Sequence, residues 1–218
     1  MKVKVLQDIM GANEVIAGRN RELLDRHKVL CIDLMSSPGA GKTSLIEATI
    51  KALNDRLAIG VIEGDLATTI DSDRIKKTGA RVLQINTGGG CSLDANMISL
   101  ALKKFPIKDL DVLFIENIGN LICPAGNVLG EHRRVVILSL PEGDDKPAKY
   151  PIMFAGADCV LLNKIDLAPH LDFDTIRVRR TITGLNPKAK IFEVSAKTGI
   201  GLKDWCSWLI SERRKRLK

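Results

Sequence analysis

The octapeptide SSPGAGKT, residues 36–43, sets a lysine and a threonine directly after Gly39, Ala40 and Gly41. Glycines at those two positions let a backbone curl until its N–H groups converge. Lys42 can then reach β- and γ-phosphate oxygens and the Thr43 hydroxyl can sit on Mg²⁺, while Ser44 opens a stretch with helical spacing whose dipole favours anions. This is chemistry for gripping the polyphosphate of a nucleotide. The first glycine usual in such loops is replaced by Ser36, but the two retained glycines lie where the backbone must come closest to the phosphates.

Two later segments can read a base. In NKID, Asp166 can accept hydrogen bonds from the N1–H and 2-amino group of guanine, and adenine offers neither donor. A buried carboxylate left without partners is costly, so such a site rejects the wrong base by about 10⁴-fold. Lys164 can lay its stem along the base, and Asn163 can tie this loop to the phosphate loop. In SAKTG, Ser195, Ala196 and Lys197 can supply a backbone N–H to guanine O6 and cover the ring. GTP, not ATP, is the expected ligand.

Metal and water are the remaining needs of phosphoryl transfer. Asp65 in IEGDLATT and Glu116 in DVLFIEN can each bind Mg²⁺ through water or position the attacking water, and either can instead cap the next turn. Lys42, Asp65 and Glu116 are therefore the catalytic candidates, with Thr43, Asp65 and Glu116 around magnesium. Gly119 can sense the γ-phosphate through its N–H, which would make 116–130 a switch segment. No glutamine is placed to orient water, so slow hydrolysis is expected.

These residues need strands that end at one edge. Seven apolar runs rich in β-branched residues fall at 29–35, 58–64, 81–87, 111–117, 134–140, 159–165 and 190–196, and each chemical motif falls at the carboxyl end of one of them. Nearly unbroken apolar character suits strands covered on both faces. Helical spacing between them, as in SLIEATIKALNDR and SLDANMISLALKKF, predicts an α/β fold: a mostly parallel seven-stranded sheet of the P-loop NTPase kind, with helices on both faces and ligands at the strands' carboxyl ends. Residues 1–28 are expected to form a helical extension packed on the body, 29–210 the nucleotide-binding domain and 211–218 a basic tail.

The excess of 33 basic over 26 acidic residues leaves +7, and four of those charges sit in the closing ERRKRLK, so the body is close to neutral. With aromatic residues at only 4%, a nucleic-acid partner is not expected. Mean hydropathy near zero gives no reason to expect membrane spans. Five cysteines without disulfide-like spacing, and an amino-terminal stretch without a long apolar run, predict a reduced cytoplasmic protein. His27, His132 and His170 have no ligand-like company and are expected on the surface or at caps. Trp205 and Trp208 are expected to pack against the core.

MSSPGAGKTSL, EGDLATTIDSDRI, INTGGGCSLDANM, ENIGNLICPA, EGDDKPAKYPIMF, NKIDL and EVSAKTGIGL together resemble the hydrogenase nickel-incorporation GTPases, the HypB family of the SIMIBI class, over about residues 9–209. The resemblance implies a nucleotide-dependent homodimer that helps load nickel into the large subunit of [NiFe] hydrogenase, beside a zinc- and nickel-binding partner, HypA. It also implies a nickel or zinc site shared at the dimer interface. Cys91 and Cys123 match the family's two metal-binding cysteines, while Ser92 and Asn96 stand where histidines are expected. Two thiolates from each subunit can still build a tetrahedral site suited to zinc or nickel. No cysteine- or histidine-rich stretch of the kind some members carry is expected to store nickel here. The resemblance also suggests that Lys146 and Lys149 reach toward nucleotide or partner. A urease-accessory GTPase, or a GTP-regulated interaction protein that has lost metal binding, are the rival readings.

Overall fold

The computed structural model describes residues 5–65 and 70–217; residues 66–69 of the EGDLATT stretch and residue 218 lie outside them. Its strands are β1 (Leu30–Ser36), β2 (Ile59–Asp65), β3 (Arg81–Asn86), β4 (Val112–Gly119), β5 (Arg133–Ser139), β6 (Cys159–Asn163) and β7 (Lys190–Glu193). They form one sheet in the order β3-β2-β4-β1-β5-β6-β7, parallel at every pairing. β1 and β6 are buried along their whole length, as their unbroken apolar runs require, while β3 and β7 keep partly exposed positions at the sheet's edges.

The helices are α1 (Val5–Arg26), α2 (Lys42–Leu53), α3 (Ile70–Lys76), α4 (Ala95–Lys104), α5 (Cys123–Gly126), α6 (Lys146–Lys149), α7 (Pro151–Ala155), α8 (Thr175–Leu185) and α9 (Leu202–Lys215). Side chains alternate across a strand, so the two faces of β1 belong to different cores. Leu30, Ile32 and Leu34 pack with α2, α3 and α9. On the opposite face Cys31 packs with α1 and α4, and Met35 with α7 and α8. The chain goes from β1 outward to β2 and β3, returns to insert β4 beside β1, and then builds β5 to β7 on the other side. This reversal at β1 opens a crevice at the strands' carboxyl ends.

Two strand ends depart from the apolar runs for reasons that matter to the site. β4 continues to Gly119 because residues 116–119 keep pairing beside β1, with a register shift between Leu34 and Ser36. β6 stops at Asn163 because Lys164 takes a left-handed conformation, φ 60°, and turns the chain away.

Two expectations are corrected. Residues 211–215 are not a tail but the last part of α9, since Glu212 and Arg213 fall on the helix face already defined by Trp205 and Leu209. Glu212 accepts from Arg133 Nε at 2.7 Å and Arg213 donates to Asp111 at 2.9 Å, which fixes the helix end to the sheet. His132 is not on the surface: its side chain is fully buried, Nδ1 accepts from the Cys31 N–H at 2.9 Å, and Nε2 faces Asp25 Oδ1 at 2.9 Å. The start of β5 beside β1 carries it there, through the His132 N–H bond to Cys31 O. Trp205 is buried as expected and donates to Thr49 Oγ1 at 2.9 Å, with Trp208 stacked on it.

Burial pushes the His132 imidazole down to about 4, with Asp25 working against that shift. Between the ordinary histidine value and about pH 4 the unfolded chain therefore binds a proton that the folded chain refuses, and stability falls as pH falls. The slope should approach about 1.4 kcal/mol per pH unit in that window and be lost in His132→Gln. Urea melts at pH 7, 6 and 5 measure it, and equal slopes in both proteins would refute this assignment.

Candidate nucleotide site and thiol pair

The phosphate loop begins where β1 stops. Ser36 is the last strand residue and fully buried, so its position needs no glycine; its hydroxyl donates to Ser37 O at 2.6 Å and accepts from Lys42 Nζ at 2.9 Å. The turn is made by Gly39 and Gly41, with φ 73° and 97°. Gly41 is also a close approach, because a Cβ there would stand 2.7 Å from Asn163 Nδ2. Lys42 opens α2 with 9% of its surface exposed, and burial lowers its pKa while nearby carboxylates, Glu116 foremost, hold it up.

Above this loop lies a cavity of about 450 Å³. Lys42, Thr43, Asp65 and Glu116, each expected at the phosphates, all line it. The Thr43 hydroxyl donates to Glu116 Oε1 at 2.7 Å. Glu63 and Asp71 also line it and were not foreseen. Glu63 pairs with Glu116 across the β2–β4 register, and one carboxylate oxygen of each, Oε2, is buried with no partner among the described residues. Burial pushes the Glu63 carboxyl up to about 8, reinforced by Glu116, and pushes Glu116 up to about 7 against the pull of Lys42 and Thr43. The signal for Glu63 was present: a glutamate inside IGVIEGD, a run otherwise built for burial.

The end of β4 forms the cavity's far wall. Gly119 packs against the phosphate loop so closely that a Cβ would lie 2.8 Å from Pro38 N and Cα. Asn117, buried between these positions, accepts from the Leu93 N–H at 3.1 Å and the Ile118 N–H at 3.0 Å, and donates to Asp33 at 3.1 Å. Burial raises the Asp33 carboxyl, so this bond is made inside the sheet away from solvent.

A second cavity, about 200 Å³, is lined by Asn163, Lys164, Asp166, Ser195, Ala196 and Lys197. Gly41 and Ser44 line both cavities, so the two meet at the first turn of α2. Asn163 donates to Ala40 O at 2.8 Å and accepts from the Ala196 N–H at 3.3 Å, joining three loops, and Lys164 Nζ donates to Gly39 O at 2.7 Å. Ser195 lines this cavity as part of a tight turn. It is fully buried, its N–H donates to Ile200 O at 2.9 Å, and its hydroxyl accepts from the Thr198 N–H, so it shapes the turn and its N–H is already committed.

Beyond the phosphate cavity the chain brings the Cys91 and Cys123 thiols near one another, and the neighbouring thiol raises the Cys123 pKa. Asn120 holds both loops: its amide donates to Cys91 O at 3.3 Å and accepts from the Ile122 N–H at 2.8 Å. Ser92 is engaged with Asn127 Nδ2 at 2.9 Å, and Asn96 lines a separate cavity with Asn13 and Asp94. Among the described residues no group of three or more His, Cys, Asp or Glu is placed to hold a metal ion. Lys149 pairs with Asp145 and Lys146 lies over the Tyr150 ring, so both are engaged within their own loop.

A parallel sheet that reverses at its phosphate-binding strand, with a base-sized pocket beside the loop, defines a P-loop GTPase. Residues 30–193 match the family described as CobW/HypB/UreG, nucleotide-binding domain. The chain is 48% identical to the hydrogenase maturation factor HypB of Rhizobium leguminosarum bv. viciae, over 99% of its own length and 73% of that protein. Its fold is similar to the crystal structure of HypB from Archaeoglobus fulgidus, with TM-score 0.87 and 40% identity over 93% of this chain and 99% of that one. It is equally similar to HypB from Helicobacter pylori solved in complex with nickel, with TM-score 0.88 and 37% identity over 94% and 96%. The chain belongs to the HypB family of hydrogenase maturation GTPases. Among its described residues no helix is long and apolar enough to cross a membrane.

Gly119→Ala tests the wall of the phosphate cavity. The added methyl must push β4 away from the Pro38 backbone, so GTP affinity should fall by about tenfold or more and the melting temperature by about several degrees. Fluorescent-nucleotide titration reads the first and calorimetry the second; wild-type affinity would show that β4 does not set the loop's shape.

Proposed function

We propose that this chain is a GTP-driven metallochaperone that delivers nickel for [NiFe] hydrogenase assembly. The supporting observation is that Asn120 holds the Cys91 carbonyl and the Cys123 N–H together, so two free thiols sit beside the strand end whose Glu116 bonds Thr43. One chain offers two thiols, and a tetrahedral thiolate site takes four. Two copies meeting at this face would complete it, with nickel as cargo or zinc in its place. The solved Helicobacter relative with nickel favours nickel.

In this reading Gly39 to Ser44 receive the phosphates, with Lys42 on β- and γ-oxygens. Asp166 selects guanine, Lys164 and Ala196 to Lys197 enclose the ring, and Asn163 keeps the two halves of the site in register. Magnesium fits the oxygen donors of Thr43, Asp65 and Glu116, the last with an unpartnered buried oxygen, and when bound it neutralises charge on the β- and γ-phosphates. Glu116, now bonded to Thr43, would be one of the residues holding that ion, and Gly119 would present its N–H to the γ-phosphate from the wall it shares with Pro38. GTP closes the dimer around the metal; hydrolysis releases both. Delivery would take place in the cytoplasm, with a HypA-type partner as nickel donor and the hydrogenase large subunit as recipient.

Equilibrium dialysis against nickel and against zinc, with GTP present, tests this reading. Wild type should hold one metal per two chains, and a Cys91→Ala, Cys123→Ala double variant should hold none. Absence of stoichiometric metal in the wild type would leave a GTP-regulated interaction protein in its place.

A further inference from the structure

Arg74, on α3, has no part in the site described so far, yet it lines the same cavity as Lys42 and Thr43. Four carboxylates, Glu63, Asp65, Asp71 and Glu116, line that cavity, and among the described residues around it Lys42 and Arg74 are the cations. Lys42 alone is a poor match for a polyphosphate facing so much acid. A guanidinium is better suited than an ammonium to grip phosphate oxygens, because its planar fork donates to two of them at once.

Its position is specific. Arg74 Nη2 lies 2.9 Å from Ser44 Oγ and 2.6 Å from Glu47 Oε2, and Nη1 lies 3.1 Å from Asp71 Oδ1. Ser44 lines both the phosphate cavity and the base cavity. The guanidinium therefore stands at the waist where a nucleotide passes from its phosphate tail to its base. Its side chain is 37% exposed, so its ion pairs are screened by solvent and cheap to exchange. Glu47 and Asp71 hold it in place and compete for its N–H donors.

We propose that Arg74 is a nucleotide-contacting residue: on binding, its guanidinium leaves a carboxylate partner and takes the phosphate oxygens nearest Ser44. That phosphate is common to GDP and GTP. The contact therefore strengthens both nucleotides alike and supplies the second positive charge opposite Lys42. The inference rests on this cavity being the phosphate site.

The bland alternative is a strut, in which Arg74 only ties α2 to α3 through Glu47 and Asp71. Calorimetric titration of GDP and of a non-hydrolysable GTP analogue, at fixed Mg²⁺, separates the two with wild type, Arg74→Gln, Arg74→Lys and Glu47→Gln. Arg74→Gln should weaken both nucleotides equally, by about tenfold or more, and Arg74→Lys should recover part of the loss. Glu47→Gln removes a competitor for the guanidinium, so it should tighten both nucleotides by about threefold. Wild-type affinity in Arg74→Gln, or equal weakening in Arg74→Gln and Glu47→Gln, would overturn the proposal in favour of the strut. A wild-type chain that binds neither nucleotide would overturn the cavity assignment itself, a failure distinguishable from either.

Discussion

The carboxyl end of β4 lies so close to the phosphate loop that residue 119 has no room for a single methyl group beside Pro38. That contact fixes where everything else can stand. Glu116 reaches Thr43 because the strand is held there, and the register shift between Leu34 and Ser36 allows β4 to run on alongside the loop. Within five residues the strand end alternates its attachments. Glu116 and Gly119 face the nucleotide loop, while Asn117 holds the Leu93 N–H and Asn120 holds the Cys91 carbonyl. Glu116 and Asn120 thus tie one strand end both to Thr43 and to the backbone that carries Cys91.

The cavity is assembled at a cost in stability. Glu63 and Glu116 are nearly inaccessible to solvent, and each keeps an oxygen without a partner among the described residues. A buried carboxylate in that state prefers to hold a proton, which is the physical origin of their raised pKa values. Local rules are broken here and obeyed in the cores on either side of the sheet, the pattern expected where a protein keeps a site ready for a charged ligand. Lys42, nearly buried beside Ser36, is the matching cation on the other wall.

Much of this was legible in the residues because buried parallel strands need unbroken apolar runs, and phosphate loops need glycine where φ is positive. The loop at 36–43, NKID and SAKTG come together around contiguous cavities as their placement after strands implied. What stayed hidden depends on partners distant in sequence. Glu63 looked like a strand residue because only the β2–β4 register sets it beside Glu116. His132 looked like a loop histidine because its partners, the Cys31 N–H and Asp25, are more than a hundred residues away. The basic ending read as solvated because its charge hides a helix face on which Glu212 and Arg213 are paired to the sheet.

Nickel titration into the wild-type protein, saturated in one arm with GDP and in the other with a non-hydrolysable GTP analogue, reads the mechanical link from Thr43 through β4 to the thiol pair most directly. The account predicts nickel affinity at least about tenfold tighter in the triphosphate arm, within the usual span of coupling between linked sites. Identical affinities in the two arms would contradict it, because the thiols would then be indifferent to the strand that positions them.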